Sequence, residues 1–201
     1  TNDGFGPFLD TTVFDFFWPD VKSWDNTRYT DWQNELIGGT AYRNTVQLSI
    51  AGGSNQTQFS ISGGYQKETT VFPGDANYKK VTVHSSVNHQ SNNDRFKLNL
   101  TTIYSNEKNL LPRSDFTFKA YTLEPNAPKL YDDEGLLNWE NNTWNNPLAS
   151  LEEVYDAKIN TLITNAGISY MVLPNLELKT SLGFNTYDLD SYRTLPSSAR
   201  N

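Results

Sequence analysis

Apolar and polar residues alternate along most of the chain from residue 40 onward, and the alternation runs in three pairs of segments. A period of two is typical of β-strands, whose successive side chains point to opposite faces of a sheet. Each pair is separated by a short stretch of turn-forming residues, which predicts an antiparallel hairpin. The predicted hairpins, written as first strand, turn and second strand, are 45–50, 52–56 and 58–66; 80–88, 91–94 and 95–104; and 162–172, 174–175 and 176–185.

The connections between these segments alternate strictly in length. The turns within the hairpins are tight, whereas the connections 1–40, 67–78 and 105–157 are long. Such alternation, with strands of about ten residues, is typical of outer-membrane barrels. We therefore predict an all-β fold, an antiparallel transmembrane β-barrel segment of about six strands in three hairpins with long extracellular loops. A soluble β-sandwich gives the same alternation, so periodicity alone leaves both architectures open.

The barrel interpretation divides the chain into three parts. Residues 1–40 are predicted to form an extracellular loop region that precedes a barrel strand. Residues 41–190 hold the strands of the three hairpins, with the long extracellular loop at 105–157, and residues 191–201 begin the next extracellular loop. Loops of this length are ordered and functional, or disordered. Their many aromatic residues favour order, because disordered segments contain few aromatics.

The overall composition narrows the function classes. The chain has 201 residues, a net charge of −7 and no cysteine, so disulfides and thiolate metal sites are excluded. The negative charge argues against nucleic acid as the main partner, since phosphate binding requires a basic face. Met171 is the only methionine, and the sequence begins with a threonine. We therefore expect the chain to be a fragment or a processed product.

Basic side chains on the polar face of the predicted strands are candidates for contact with a solute. The polar face of a barrel lines a water-filled interior, whereas in a soluble antiparallel sheet it would simply face solvent. The candidates are Lys80, His84, Arg95, Lys97 and Lys179.

Aromatic residues in the long connections are candidates for contact with substrate or a partner protein. Tyr131, Trp139 and Trp144 could stack on sugar rings or anchor an interface. Alternatively, they form the core of the loop itself, which long ordered loops require. For the aromatic stretch at 14–18 the two alternatives are a surface for a partner protein and a loop core.

Nothing in the sequence indicates an enzyme, a metal centre or a cofactor. The chain has no nucleophile elbow, P-loop or HExxH motif. His84 and His89 are five residues apart on one predicted strand, so they point to opposite faces and cannot share a ligand. The acidic group 132–134 has oxygen ligands for Ca²⁺ together with Glu140, but a solvated turn before Gly135 explains it more simply.

Several segments, in order, are similar to one known family. Thr30–Ile37 (TDWQNELI) resembles the stretch before an early barrel strand, and Leu48–Glu68 (LSIAGGSNQTQFSISGGYQKE) resembles a strand–GGS–strand hairpin of the SusC/RagA family of TonB-linked outer-membrane transporters from Bacteroidetes. Further resemblances are KLYDDEGLLNW at Lys129–Trp139, NNPLASLEE at Asn145–Glu153, LPNLELKTSLGFNTY at Leu173–Tyr187 and RTLPSSA at Arg193–Ala199.

The resemblance implies the outer membrane as location and uptake of glycans or peptides as function. It further implies a SusD-like surface lipoprotein that closes over the barrel, and TonB, which pulls on a plug region that we do not find here. Family barrels have about 22 strands, and six strands alone would leave two unpaired edges that lipid does not tolerate. A soluble, secreted all-β binding module, possibly carbohydrate-binding, is the alternative function.

Overall fold

The computed structural model of the protein describes residues 24–200, except for the side chain of Ser198. Its main element is one sheet of six strands in the order β1-β2-β3-β4-β5-β6, and every neighbouring pair is antiparallel. This confirms the predicted hairpin architecture. The strands are β1 (Arg43–Gly53), β2 (Thr57–Thr69), β3 (Asn77–Gln90), β4 (Phe96–Asn109), β5 (Val154–Leu173) and β6 (Leu176–Thr194).

The first tight turn depends on a glycine. Gly53 ends β1 with a φ of +148°, a backbone conformation that L side chains rarely adopt. A Cβ atom at this position would also overlap the carbonyl oxygen of Thr57. The hydroxyl of Ser54 accepts hydrogen bonds from the backbone N–H groups of Gln56 and Thr57, each at 3.2 Å. The local sequence Gly53-Ser54 therefore closes the hairpin and fixes its register.

The register gives the sheet an apolar and a polar face. Directly paired residues share a face, and the pairs Ile50–Ile61 and Val87–Leu100 lie on the apolar one. We call the end of the sheet with the turns at 54–56, 91–95 and 174–175 the turn end, and the opposite end the loop end.

Side chains on the apolar face are open to the surroundings. Leu48 is 75% exposed, Leu178 is 68% exposed and Phe184 is 58% exposed. Within residues 24–200, the sheet is a single layer, and no second sheet covers this face. A soluble sandwich buries the equivalent residues against a second sheet. The arrangement is therefore that of a barrel wall whose apolar face meets lipid, and the sandwich alternative is not supported.

The stretch of apolar residues on this face, which we call the apolar band, lies closer to the turn end in β4–β6 than in β1–β3. The row of paired residues that contains Val46 and Tyr65 continues through Asn106 and Asn160 to Asp188. In β6 the apolar residues instead lie at 176–184. Barrel strands tilt by about 35–45°, so a row of hydrogen bonds crosses a flat membrane obliquely. The displaced band is what this tilt requires.

All six strands extend beyond the bounds that the sequence pattern predicts, and the extension is largest at the loop end of β5 and β6. The loop predicted at 105–157 comprises only 110–153. Strand β6 runs to Thr194, beyond the predicted strand 176–185 and into the loop predicted from 191. The added positions include Asn106, Glu107 and Lys108, which interrupt the alternation that marks a strand. Backbone pairing continues regardless, because Glu107 pairs with Ile159 and Lys108 with Lys158.

Residues 24–42 and 110–153 form a compact unit at the loop end, which we call the loop subdomain. It contains helix α1 (Trp32–Ile37), helix α2 (Thr117–Thr122) and 3₁₀ turns at Glu140–Asn142 and Pro147–Ser150. In the described part of the chain, neither helix has the length and apolar character needed to span a membrane. The core consists of Trp24, Trp32, Leu36, Phe116, Ala120, Ala127, Leu137, Trp144 and Leu148.

The two faces of β6 give a direct test of this fold. In a bilayer, Leu182→Arg should destabilise the barrel by about 2–4 kcal/mol, because it places a charge in the lipid-facing band. Ser181→Arg, one residue away on the polar face, is the matched control and should cost far less. Equilibrium unfolding of the reconstituted full-length receptor measures both. Equal losses for the two variants would contradict the assignment of the faces.

Candidate functional site

The polar face carries four of the predicted basic residues, at three levels between the loop end and the turn end. Lys80 lies near the loop end, where its Nζ atom is 2.8 Å from Oε1 of Glu107. The hydroxyl of Tyr78 donates a hydrogen bond of 2.7 Å to the other oxygen of the same carboxylate. Lys80 is therefore held in a network across β3 and β4, and its charge is largely compensated.

His84 lies alone in the middle of the polar face. It pairs with Ser62 on one side and Ile103 on the other, and it is half-buried. Four residues of strand place it about 13 Å from Lys80, so the two side chains do not form one site.

Lys97 and Lys179 come together near the turn end. Ser169 on β5 pairs with Lys97 on β4 and with Lys179 on β6, so the two lysines are two strand spacings, about 10 Å, apart. Nζ of Lys179 is 3.0 Å from Oε2 of Glu177. These two lysines therefore share a local site.

A concavity of about 800 Å³ lies on the polar face around this pair. Besides the two lysines and Glu177, its lining is dominated by amide and hydroxyl side chains, including Gln58, Asn88 and Asn99. Such groups both donate and accept hydrogen bonds. The lining is suited to a polar, uncharged solute that presents several hydroxyl or amide groups.

Arg95 lies at the turn end, one residue before strand β4, whereas the sequence pattern places it within the strand. The turn at 91–95 is closed by side chains: Asn93 Oδ1 accepts a hydrogen bond from the backbone of Arg95, and Ser91 Oγ accepts one from the backbone of Phe96. Asp94 has a φ of 57°. Strand β4 begins at Phe96, and Arg95 is exposed directly before it. The carbonyl oxygen of Arg95 accepts a hydrogen bond of 2.8 Å from the backbone N–H of Met171 on β5. Contact of Arg95 with a solute stays a prediction.

Trp144 is buried in the core of the loop subdomain. It is 7% exposed, and its ring centroid is 6.4 Å from that of Trp24 and 6.1 Å from that of Trp32. Its indole N–H donates a hydrogen bond of 2.9 Å to the carbonyl oxygen of Asn138. These contacts favour the second alternative given by the sequence, namely that this tryptophan packs the loop.

Trp139 and Tyr131 are more accessible. Trp139 packs against the edge of the core, whereas Tyr131 is 51% exposed. Tyr131 pairs with Leu137 across an acidic turn, in which Oδ1 of Asp132 accepts hydrogen bonds from the backbone of Glu134 and Leu136. Within residues 24–200 no group of three or more His, Asp or Glu side chains is arranged to hold a metal ion.

Hydrogen bonds between residues far apart in the sequence connect the two segments of the loop subdomain, 24–42 and 110–153. The indole of Trp32 donates to the carbonyl of Glu124 at 2.7 Å, and that of Trp24 donates to the hydroxyl of Thr143 at 3.0 Å. The guanidinium of Arg28 donates to the carbonyl of Ala127 at 3.1 Å. These bonds fix the segment before β1 onto the long loop after β4. The aromatic stretch at 14–18 lies outside the described residues.

Asn146 is a structural residue that the sequence analysis missed. It is 2% exposed, and its amide donates hydrogen bonds to the carbonyls of Leu130 and Asn138 at 2.6 and 3.0 Å. Its Oδ1 accepts one from the backbone of Leu148, which caps the turn that starts at Pro147. An Asn directly before Pro is a recognisable helix-start signal.

Two exposed aromatic residues on α2 were also missed. Phe118 is 76% exposed and Tyr121 is 65% exposed, while Phe116 and Ala120 face the core. The spacing of three and four residues between these positions is the signal that separates the two sides of a helix. Nearby, partial burial lowers the pKa of Lys119.

The geometry defines a class of protein: an antiparallel sheet with a lipid-facing side, a polar concave side and a structured loop at one end is the wall of an outer-membrane β-barrel. No family model matches the sequence. The solved structure of the RagAB peptide importer in its closed-closed state superimposes with a TM-score of 0.67 and 17% sequence identity, over 85% of this chain and 20% of the importer chain.

Two curated relatives come from Formosa agariphila. TonB-dependent receptor P3 is 28% identical over 170 residues, which cover 78% of this chain. TonB-dependent receptor P39 is 31% identical over 156 residues, which cover 75% of this chain. The matches span 17% and 14% of these receptors. The resemblance is confirmed: the chain is a SusC/RagA-like TonB-dependent transporter sequence that corresponds to a part of the barrel.

Burial of Trp144 predicts a local effect of its removal. Trp144→Ala should loosen the loop subdomain by about 3–5 kcal/mol and leave the sheet intact. Limited proteolysis of the full-length receptor should then cleave within 110–153 much faster than in the wild type. Leu136→Ala, at a site that is 60% exposed, is the control and should leave the cleavage rate unchanged. An unaffected Trp144→Ala variant would contradict the proposed core.

Proposed function

We propose that this chain forms part of the wall of a TonB-dependent transporter that imports glycans across the outer membrane. The observation that carries the proposal is the contrast between the two faces of one sheet. One face offers exposed Leu48, Leu178 and Phe184 to lipid, and the other surrounds a polar concavity of about 800 Å³. A wall of this type separates a bilayer from an aqueous passage.

The lining of the concavity supports a glycan as the solute. Sugars present many hydroxyl groups and little charge, and the amides of Gln58, Asn88 and Asn99 match such groups. Glu177 pairs with Lys179, which reduces the net charge offered to a solute. The main alternative is a peptide, because the structurally similar RagAB complex is a peptide importer.

We infer that the loop subdomain faces the cell exterior and contacts a SusD-like surface lipoprotein. Its buried core makes it a fixed platform rather than a mobile loop. Phe118, Tyr121 and Tyr131 are exposed on this platform, and aromatic residues are favoured anchors of protein interfaces. The energy for import would come from TonB, acting on a plug region of the whole receptor. The barrel itself would position the solute and perform no covalent chemistry.

The orientation can be tested with single cysteines, because this chain contains none. In a full-length receptor otherwise free of cysteine, Tyr131→Cys should react with a membrane-impermeant maleimide on intact cells. Arg95→Cys, in a turn at the opposite end, should react only after the outer membrane is permeabilised. Gel-shift labelling measures both. The reverse pattern would overturn the orientation, and labelling of both sites on intact cells would argue against a membrane-spanning wall.

Transport is tested by deleting the receptor gene and measuring uptake of labelled oligosaccharides and peptides. Deletion should abolish uptake of one glycan class, and an uncoupler should have the same effect on the wild type. Reversing the charge of the polar face with Lys97→Glu/Lys179→Glu should lower uptake at least several-fold, whereas Lys129→Glu in the exposed loop should not. Loss of peptide uptake alone would change the substrate class, and unchanged uptake after deletion would refute transport.

A further inference from the structure

Four lysines stand side by side across the sheet, on the apolar face at its loop end. Lys67 on β2 pairs with Lys79 on β3, Lys79 pairs with Lys108 on β4, and Lys108 pairs with Lys158 on β5. We call these four residues the lysine row. Three strand spacings of about 4.8 Å make the row roughly 14 Å long.

The lysine row is on the same face as the lipid-contacting residues. Side chains two positions apart on a strand share a face. Lys67 therefore follows Tyr65 on the apolar face, and Lys79 precedes Val81. Lys108 and Lys158 lie one polar position beyond the apolar band, after Asn106 and before Asn160. The row thus lies where the band ends, at the level of lipid headgroups.

Like charges that face each other directly on neighbouring strands destabilise a sheet. Only one member of the row is compensated: Nζ of Lys108 is 3.5 Å from Oδ2 of Asp156. In the described part of the chain, Lys67, Lys79 and Lys158 have no acidic side chain within ion-pair distance. Asp190 ends the row as the register neighbour of Lys158, without forming such a pair. Three positive charges therefore remain for an external anion.

We propose that the lysine row binds the phosphate groups of an anionic lipid in the leaflet at the loop end. This inference rests on the proposed membrane location but not on any transported substrate. The row has the features that a headgroup site needs: an apolar band below for acyl chains, and flexible ammonium groups at the boundary that reach to the headgroups while their stems cover apolar surface. Lys79 and Lys158 are exposed and accessible from the bilayer.

A soluble acidic protein is a less suitable occupant. Such a partner would have to cover the apolar band directly below the row, where Tyr65 and Val81 are 40% and 43% exposed. In a membrane that band is already occupied by acyl chains. An anion that carries its own hydrocarbon satisfies both neighbouring surfaces with one molecule.

The test compares two double variants of the full-length receptor with equal loss of charge. Lys79→Gln/Lys158→Gln removes two members of the row, and Lys119→Gln/Lys129→Gln removes two lysines of the loop subdomain. Detergent-purified, delipidated receptor is titrated with fluorescent lipopolysaccharide, with phosphatidylcholine and with inorganic phosphate. The row variant should bind lipopolysaccharide about fivefold more weakly for each lysine removed, the loop variant should bind as the wild type does, and phosphatidylcholine should not distinguish them.

Further variants and competitors make the outcome decisive. Lys79→Arg/Lys158→Arg keeps the charges and should restore binding, and heat-modifiable gel migration reports whether each variant is folded. Should the double glutamine variant fail to fold, the single variants Lys79→Gln and Lys158→Gln should each show about a fivefold loss. Equal losses in row and loop variants would overturn the proposal, as would full competition by inorganic phosphate. Unchanged lipopolysaccharide binding with loss of a co-purified acidic protein would assign the row to a protein partner instead.

Failure of this inference and failure of the transport proposal are distinguishable. Lipopolysaccharide binding is measured on purified receptor and needs no solute, whereas uptake is measured in cells. Loss of lipid binding with unchanged uptake would confine the function of the lysine row to membrane anchoring.

Discussion

The fold depends on one constraint: in hydrocarbon, every backbone N–H and C=O group must find its hydrogen-bond partner within the protein. The six strands meet this constraint with each other through continuous antiparallel ladders from β1 to β6. Once all backbone groups are hydrogen-bonded in this way, the side chains alone determine whether a face of the sheet contacts lipid or water. Between the turn end and the lysine row, leucine, valine and phenylalanine lie on one side, and amides, hydroxyls, Lys97 and Lys179 lie on the other. The outer edges of β1 and β6 have no strand partner within residues 24–200, and the same constraint requires further strands beside them.

The strict alternation holds only where it is enforced by the bilayer. Above the apolar band, polar residues occupy both faces because water is on both sides, and the strands continue for several positions into this region. There the sheet is stabilised by ion pairs such as Lys80 with Glu107, between β3 and β4, and Arg193 with Glu153, between β6 and the residue before β5. The tilt of the strands makes the upper limit of the band oblique in the register. For this reason the lysine row begins next to Tyr65 at one side and lies beyond Asn160 at the other.

The hairpins could be predicted from the sequence because alternation and turn chemistry are local signals. The ends of β4 and β5 could not, because Asn106, Glu107 and Lys108 carry no alternation and are strand only through pairing with distant residues. The start of β4 shifts by one residue for a related reason: the side chains of Asn93 and Ser91 accept hydrogen bonds from the backbone N–H groups of Arg95 and Phe96, and the strand begins at Phe96. Aromatic residues in the long loop marked order correctly. Which of these aromatic residues are buried depends on contacts between residues about a hundred positions apart. A local sequence pattern does not predict such contacts.

The long-range contacts of the loop subdomain limit the order in which the chain can assemble. Its core joins Trp24 and Trp32, ahead of the first strand, to Glu124 and Thr143, behind the fourth. A chain that is inserted hairpin by hairpin would therefore hold Trp32 and its neighbours uncovered until two complete hairpins had been placed. The loop subdomain then closes over strands that are already paired, and a receptor with a misregistered second hairpin would be recognised by an open loop subdomain at the loop end of the sheet.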